Sequence, residues 1–85
     1  MNLIDRLKEI SQTHGLGEST VLQVRLTGGK QIRGRYRACV AAQDNDPEFA
    51  QLDLYDLESG DLVGLLETEI DRVIAVSYTH LRAHE

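Results

Sequence analysis

A pair of adjacent glycines between two alternating stretches is the feature that most constrains the fold of this chain. Gly28 and Gly29 separate two runs of alternating apolar and polar residues, 20–26 and 31–42. A glycine pair in this position predicts a tight β-hairpin, because primed turns require positive φ at their central residues. Gly34 lies inside the second run, where a glycine indicates a sharp bend or a close backbone approach. A hairpin of this kind is typical of a short sheet that curls into a small barrel.

The rest of the chain predicts one helix and three further strands. The helix spans residues 2–14, and its apolar face is formed by Leu3, Ile4, Leu7 and Ile10. The later strands are predicted over residues 49–55, 62–66 and 73–76. The last two are apolar on both faces, which predicts that they are buried on both sides or that another subunit covers them. We therefore expect a mainly β fold, with an N-terminal helix followed by a five-stranded, strongly bent small barrel of the Sm-like or SH3-like type.

Size and composition limit the kinds of protein that this chain can be. Its 85 residues suit one domain, which we place at residues 1–76. Cys39 is the only cysteine, so no disulfide can form within the chain and a cytoplasmic location is expected. The sequence has neither a signal peptide nor the ~20 apolar residues of a membrane span, so no membrane contact is predicted.

The end of the chain differs in character from the rest. Residues 77–85 resemble translated sequencing-adapter DNA, and we expect this tail to be non-native or disordered and to carry no function. His80 and His84 have the i, i+4 spacing of half a zinc site. Since no third ligand lies near them in the sequence, we predict no metal site.

Charge is segregated along the chain, which defines two candidate contact surfaces. Residues 25–37 contain bases and no acids, whereas residues 44–71 contain acids and no bases. Arg33, Arg35 and Arg37 alternate on one face of the second predicted strand and could contact phosphate or an acidic partner. Pairing with acidic residues on neighbouring strands is the favoured interpretation, since antiparallel strands place opposite charges across from each other. The second surface is the acidic loop, with candidate contact residues Asp44, Asn45, Asp46 and Glu48.

Catalytic, cofactor and metal sites are not predicted. An EF-hand that began at Asp44 would need glycine and glutamate where this chain has Phe49 and Tyr55, so the loop is expected to form a turn instead. The sequence contains no Gly-rich phosphate loop and no nucleophile elbow. We therefore expect a protein that is not an enzyme and needs no cofactor.

The second predicted strand also carries a family resemblance. Gln31-Ile32-Arg33-Gly34-Arg35-Tyr36 resembles the x-hydrophobic-x-Gly-x-hydrophobic pattern of the Sm-like superfamily, and the likeness covers residues 2–76. This resemblance implies a small barrel, rings that form through the last two strands, and binding of single-stranded RNA. The Sm pattern has an Asp and a Met-Asn pair after the glycine, where this chain has Ala41-Ala42-Gln43. No RNA-contacting residue therefore transfers.

A second resemblance is to small bacterial proteins that share the Asp-Asn-Asp-Pro-Glu loop and an acidic final turn, and it implies a fold without an activity. The function that we expect is a bacterial non-enzymatic binding or assembly module that acts through protein–protein contacts. Its partner would be a second copy bound through the last two strands, or another protein. The alternative is an Sm-like protein that binds single-stranded RNA with its basic strand face. The net charge of −5 weighs against that alternative.

Overall fold

The computed structural model describes residues 2–45 and 48–76, which form one helix and one five-stranded sheet. The elements are α1 (Leu3–His14), β1 (Val21–Leu26), β2 (Gln31–Val40), β3 (Gln51–Asp56), β4 (Leu62–Leu66) and β5 (Ile70–Val76), with 3₁₀ turns at Ala42–Asp44 and Glu67–Glu69. The expectation of a mainly β fold behind an N-terminal helix is confirmed. The predictions for Asp46 and for residues 77–85, including His80 and His84, lie outside the described residues.

The strands form an antiparallel sheet in the order β4-β3-β2-β1-β5. Although only residues 67–69 separate them, β4 and β5 are not neighbours and lie at opposite edges. β5 instead returns to pair with β1, as in the Val24–Val73 and Leu22–Ala75 pairs. In the part of the chain that is described, the sheet is therefore not closed into a barrel.

The open sheet is nevertheless strongly curved. Residues 67–69 alone connect Leu66, at the end of β4, to Ile70, at the start of β5. The four Cα–Cα steps from Leu66 to Ile70 span at most about 14 Å. In a flat sheet, four interstrand spacings would separate the two edge strands by about 19 Å. The Glu67 N–H also donates to Ala50 O at 2.8 Å, and the Thr27 N–H donates to Glu69 O at 2.9 Å. The two edges thus approach each other at one end of the sheet.

The predicted hairpin is present, but its turn differs from the expectation. Gly29 has φ +95°, whereas Gly28 does not have positive φ, so the turn is not of the primed two-residue type. The Gly29 N–H donates to Leu26 O at 2.9 Å, and the Leu26 N–H donates to Lys30 O at 2.8 Å. This pattern describes a three-residue loop that ends in a glycine of positive φ.

The core lies between α1 and the concave face of the sheet. It is formed by Leu3, Leu7, Ile10, Leu22, Val24, Ala50, Leu52, Leu54, Leu65, Ile70 and Val73. The predicted apolar face of the helix is confirmed, with Ile4 partly buried beside Leu3, Leu7 and Ile10. In β2, the register shifts between Tyr36 and Ala38. Because of this bulge, Cys39 packs against the core, so the alternation predicted over residues 31–42 is interrupted.

Candidate functional site: the two sheet edges and the arginine face

The backbone groups that β4 leaves unpaired follow from its register with β3. Asp56 N–H donates to Asp61 O at 2.9 Å, and Glu67 N–H donates to Ala50 O at 2.8 Å. Antiparallel strands alternate between residues that bond to the neighbouring strand and residues that point away from it. Odd-numbered residues of β4 therefore bond to β3. The residues that direct N–H and C=O groups away from β3 are Leu62, Gly64 and Leu66.

The side chains of the β4 edge are uncharged. Leu62 is 54 % exposed, Leu66 is half-buried, and both lie on the convex face of the sheet. Gln51 extends over Gly64, whose Cβ position would lie only 2.6 Å from Gln51 Nε2. Natural sheets protect such edges with charged side chains, proline or a bulge. β4 has none of these.

The same reasoning identifies the unpaired groups of β5. The hydrogen bond from Leu26 N–H to Lys30 O, at 2.8 Å, shows that even-numbered residues of β1 bond to β2. Odd-numbered residues of β1 therefore bond to β5. Since Gln23 pairs with Ile74, even-numbered residues of β5 bond to β1. The carbonyl of Val73 consequently points to the outer edge of the sheet.

α1 contacts the outer edge of β5. Arg6 Nε donates to Val73 O at 2.8 Å, which fills the middle acceptor of that edge. A second anchor lies at the start of the helix, where the Leu3 N–H donates to Glu67 Oε2 at 2.6 Å. The first N–H groups of a helix have no partner within the helix, and a carboxylate there is favourable. The two edges of the sheet are therefore unlike, since α1 bonds to an outward acceptor of β5, whereas nothing in the described residues bonds to the outward groups of β4.

The three candidate arginines have different surroundings. Arg33 Nε donates to Gln23 Oε1 at 2.8 Å. The Arg35 guanidinium lies 5.6 Å from the centre of the Tyr55 ring, within cation–π range. In the described part of the chain no ion pair involves Arg35 or Arg37. Arg25 makes a pairing of this kind with a neighbouring strand, since its guanidinium lies 3.0 Å from the Asp71 carboxylate.

The arginine face contains a shallow groove of about 400 Å³. Its lining residues are Glu18, Arg35, Tyr36, Arg37 and Tyr55. The groove thus combines two cationic side chains with two aromatic rings, a pairing that suits stacked bases and phosphates. Glu18 adds one negative charge to the same groove.

The acidic loop serves a structural purpose in the residues that are described. Asn45 Nδ2 donates to Phe49 O at 3.0 Å and to Gln51 Oε1 at 3.2 Å. The Asn45 side chain therefore ties the loop to β3. Asp44 ends the first 3₁₀ turn and Glu48 is exposed. Residues 2–45 and 48–76 contain no group of three or more His, Cys, Asp or Glu that could hold a metal ion.

Cys39 and Tyr36 lie together next to the bulge of β2. Burial raises the pKa of the Cys39 thiol, and the carboxylates of Asp53 and Glu67 raise it further. Burial also raises the pKa of Tyr36. A raised thiol pKa disfavours the reactive thiolate. Cys39 is therefore a packing residue, partly buried against the core.

Sequence reasoning missed the two residues that anchor α1. Arg6 follows Leu3 by three positions and precedes Ile10 by four, so it borders the apolar face of the helix. That position indicates a side chain that reaches the sheet, although it does not identify the acceptor. For Glu67 the sequence indicates only that it belongs to an acidic turn.

No helix in the described residues is long and apolar enough to cross a membrane.

Comparison of the chain with protein-family models, with curated proteins and with solved structures gives no match. The resemblance to the Sm-like superfamily therefore stays a prediction. The argument for function depends on the geometry of this chain.

Proposed function

We propose that this protein is a non-enzymatic assembly module that binds proteins by adding a strand to the open edge of β4. The observation that carries the proposal is the row of outward N–H and C=O groups at Leu62, Gly64 and Leu66. Strand addition uses such main-chain groups for affinity, and side chains next to them for specificity.

The composition of the edge supports this function. β4 contains no charged residue, whereas the whole chain has a net charge of −5. Leu62 and Leu66 lie beside the open groups on the convex face, where an added strand would remove them from water. Burying an exposed leucine contributes up to about 1.5–3 kcal/mol.

A soluble nonapeptide that alternates valine with lysine and threonine is a suitable probe of the edge. Titrated into ¹⁵N-labelled protein, it should shift the amide signals of Leu62, Gly64 and Leu66 in a saturable manner. The amides of β5 should respond little, because α1 covers that edge. Saturable shifts confined to another surface, or no shifts at all, would contradict the proposal.

A second candidate function is binding of single-stranded RNA. It is favoured by the groove in which Arg35 lies over Tyr55 and Arg37 has no ion pair among the described residues. Labelled oligouridine at low salt would test it: binding that weakens steeply with salt and is lost in an Arg35→Gln, Arg37→Gln double variant would support this function. The absence of saturable binding below ~10 μM would exclude it.

A further inference from the structure

We propose that the occupant of the β4 edge is the β4 edge of a second copy, which gives a closed two-fold dimer. This inference rests on the proposed function, since it names the partner of the same edge. It also departs from the ring that the family resemblance implies. A ring would need β4 of one copy to pair with β5 of the next.

The first argument is the symmetry of the strand itself. Leu62-Val63-Gly64-Leu65-Leu66 reads nearly the same in both directions about Gly64. An antiparallel pair of identical strands with its two-fold axis at Gly64 places Gly64 opposite its own copy. It also places Leu62 opposite Leu66 of the second copy. Leu62, Gly64 and Leu66 are the residues whose N–H and C=O groups point outward, so each of these groups would gain a hydrogen-bond partner in the second copy.

The second argument concerns charge and side-chain contacts. Two copies that each carry a net charge of −5 repel one another over most of their surfaces. β4 itself has no charged residue, so like charges face each other only beyond the strand, where the two-fold register places Asp61 opposite Glu67 of the second copy. On the convex face, each Leu62 would contact a Leu66, and such apolar cross-strand pairs stabilise a sheet. At the axis Gly64 has no side chain, and Gln51 of the same chain fills the space where its Cβ atom would lie.

The two edges of the sheet also differ in their contacts with α1. The hydrogen bond from Arg6 to Val73 O, at 2.8 Å, occupies the middle acceptor of the β5 edge. Rings and filaments require two complementary surfaces on each copy, whereas a single self-complementary surface closes after two copies. The described edges therefore favour a dimer over a ring.

Sedimentation equilibrium of the full-length chain tests the dimer, over roughly 5 to 200 μM to cover micromolar dissociation constants. The wild type should fit a reversible monomer–dimer equilibrium without larger species. In Leu62→Glu, Leu66→Glu, the two-fold register places like charges opposite each other, so the dimer should weaken at least about tenfold. In Leu62→Glu, Leu66→Lys, opposite charges face each other and the dimer should be retained.

Leu57→Glu is the matched control, because Leu57 is 46 % exposed and lies outside β4. It should dimerise like the wild type, and circular dichroism should show that all variants are folded. A monomer at every concentration would overturn the inference. So would larger rings, or equal weakening of both β4 double variants. If the nonapeptide still binds β4 of a strict monomer, only the choice of partner is wrong; if it also fails to bind, the proposed function is wrong as well.

Discussion

At the scale of single residues, Gly34 shows how backbone contact determines the identity of a residue. It lies in β2 without a positive φ. A Cβ atom there would lie 2.7 Å from Tyr55 O and 2.9 Å from Leu54 Cβ. The sequence predicted either a sharp bend or a close backbone approach at Gly34. The structure shows the close approach.

We expect Gly34→Ala to destabilise the fold by about 1–3 kcal/mol, because backbone and a core side chain must shift to accept the methyl group. Urea denaturation measures the change. Gly28→Ala is the control, since Gly28 has no atom within 4 Å of its Cβ position and no positive φ. It should cost little. Equal losses in the two variants would show that close packing at Gly34 is not the cause.

The buried thiol and phenol next to the bulge make stability depend on pH. The pKa values of Cys39 and Tyr36 are raised chiefly by burial. Unfolded cysteine and tyrosine lose their protons near about pH 8.5 and about pH 10. Above those values the unfolded chain binds fewer protons than the folded chain, so the free energy of unfolding falls as pH rises.

We therefore expect the free energy of unfolding, measured with urea, to be constant up to roughly pH 8 and to decline above it. Cys39→Ala should remove the earlier part of the decline. Tyr36→Phe should remove the later part. The thiol explanation is wrong if Cys39→Ala loses stability with the same pH profile as the wild type.

At the scale of elements, α1 both contributes to the core and covers a sheet edge. Leu3, Leu7 and Ile10 pack against the sheet. Arg6 contacts the edge itself, where it donates to Val73 O. The amphipathic pattern predicted the first role from the sequence. The second role could not be predicted, because it depends on which strand lies at the edge next to the helix.

Arg6→Met should lower stability by about 1 kcal/mol, since the side chain keeps its apolar stem but loses a charge-assisted hydrogen bond that is partly exposed. It should also open the β5 edge and allow species larger than a dimer in sedimentation. Lys8→Met is the control on the exposed side of the same helix. If it has the same two effects, Arg6 does not act by covering β5.

At the scale of the whole molecule, local patterns predicted the elements better than their arrangement. The Gly28-Gly29 pair and the alternation around it predicted the hairpin. The helix begins close to its predicted start, where the Asn2 side chain accepts a hydrogen bond from Asp5 N–H. The sequence did not reveal that β4 and β5 lie at opposite edges. Pairing between distant strands depends on the curvature of the complete sheet, for which a short window of sequence holds little information.

The sequence likewise predicted some features of the candidate site and missed others. The two-sided apolar character of residues 62–66 predicted burial on both sides or cover by another subunit, and within one chain β4 is an edge strand with Leu62 54 % exposed. The arginine row was visible from its period of two. However, the sequence did not show that Arg35 lies over Tyr55 while Arg33 contacts Gln23, because those contacts depend on the register of three strands.

Amide hydrogen exchange of β4, followed residue by residue by NMR at several protein concentrations, tests whether the β4 edge is open in one chain and pairs with a second copy. The Val63 and Leu65 amides bond to β3 and should be protected at every concentration. The Leu62, Gly64 and Leu66 amides should exchange rapidly in dilute protein and become protected as concentration rises. Protection of those three amides that does not change with dilution would show that the β4 edge is already covered within one chain, and it would contradict the account.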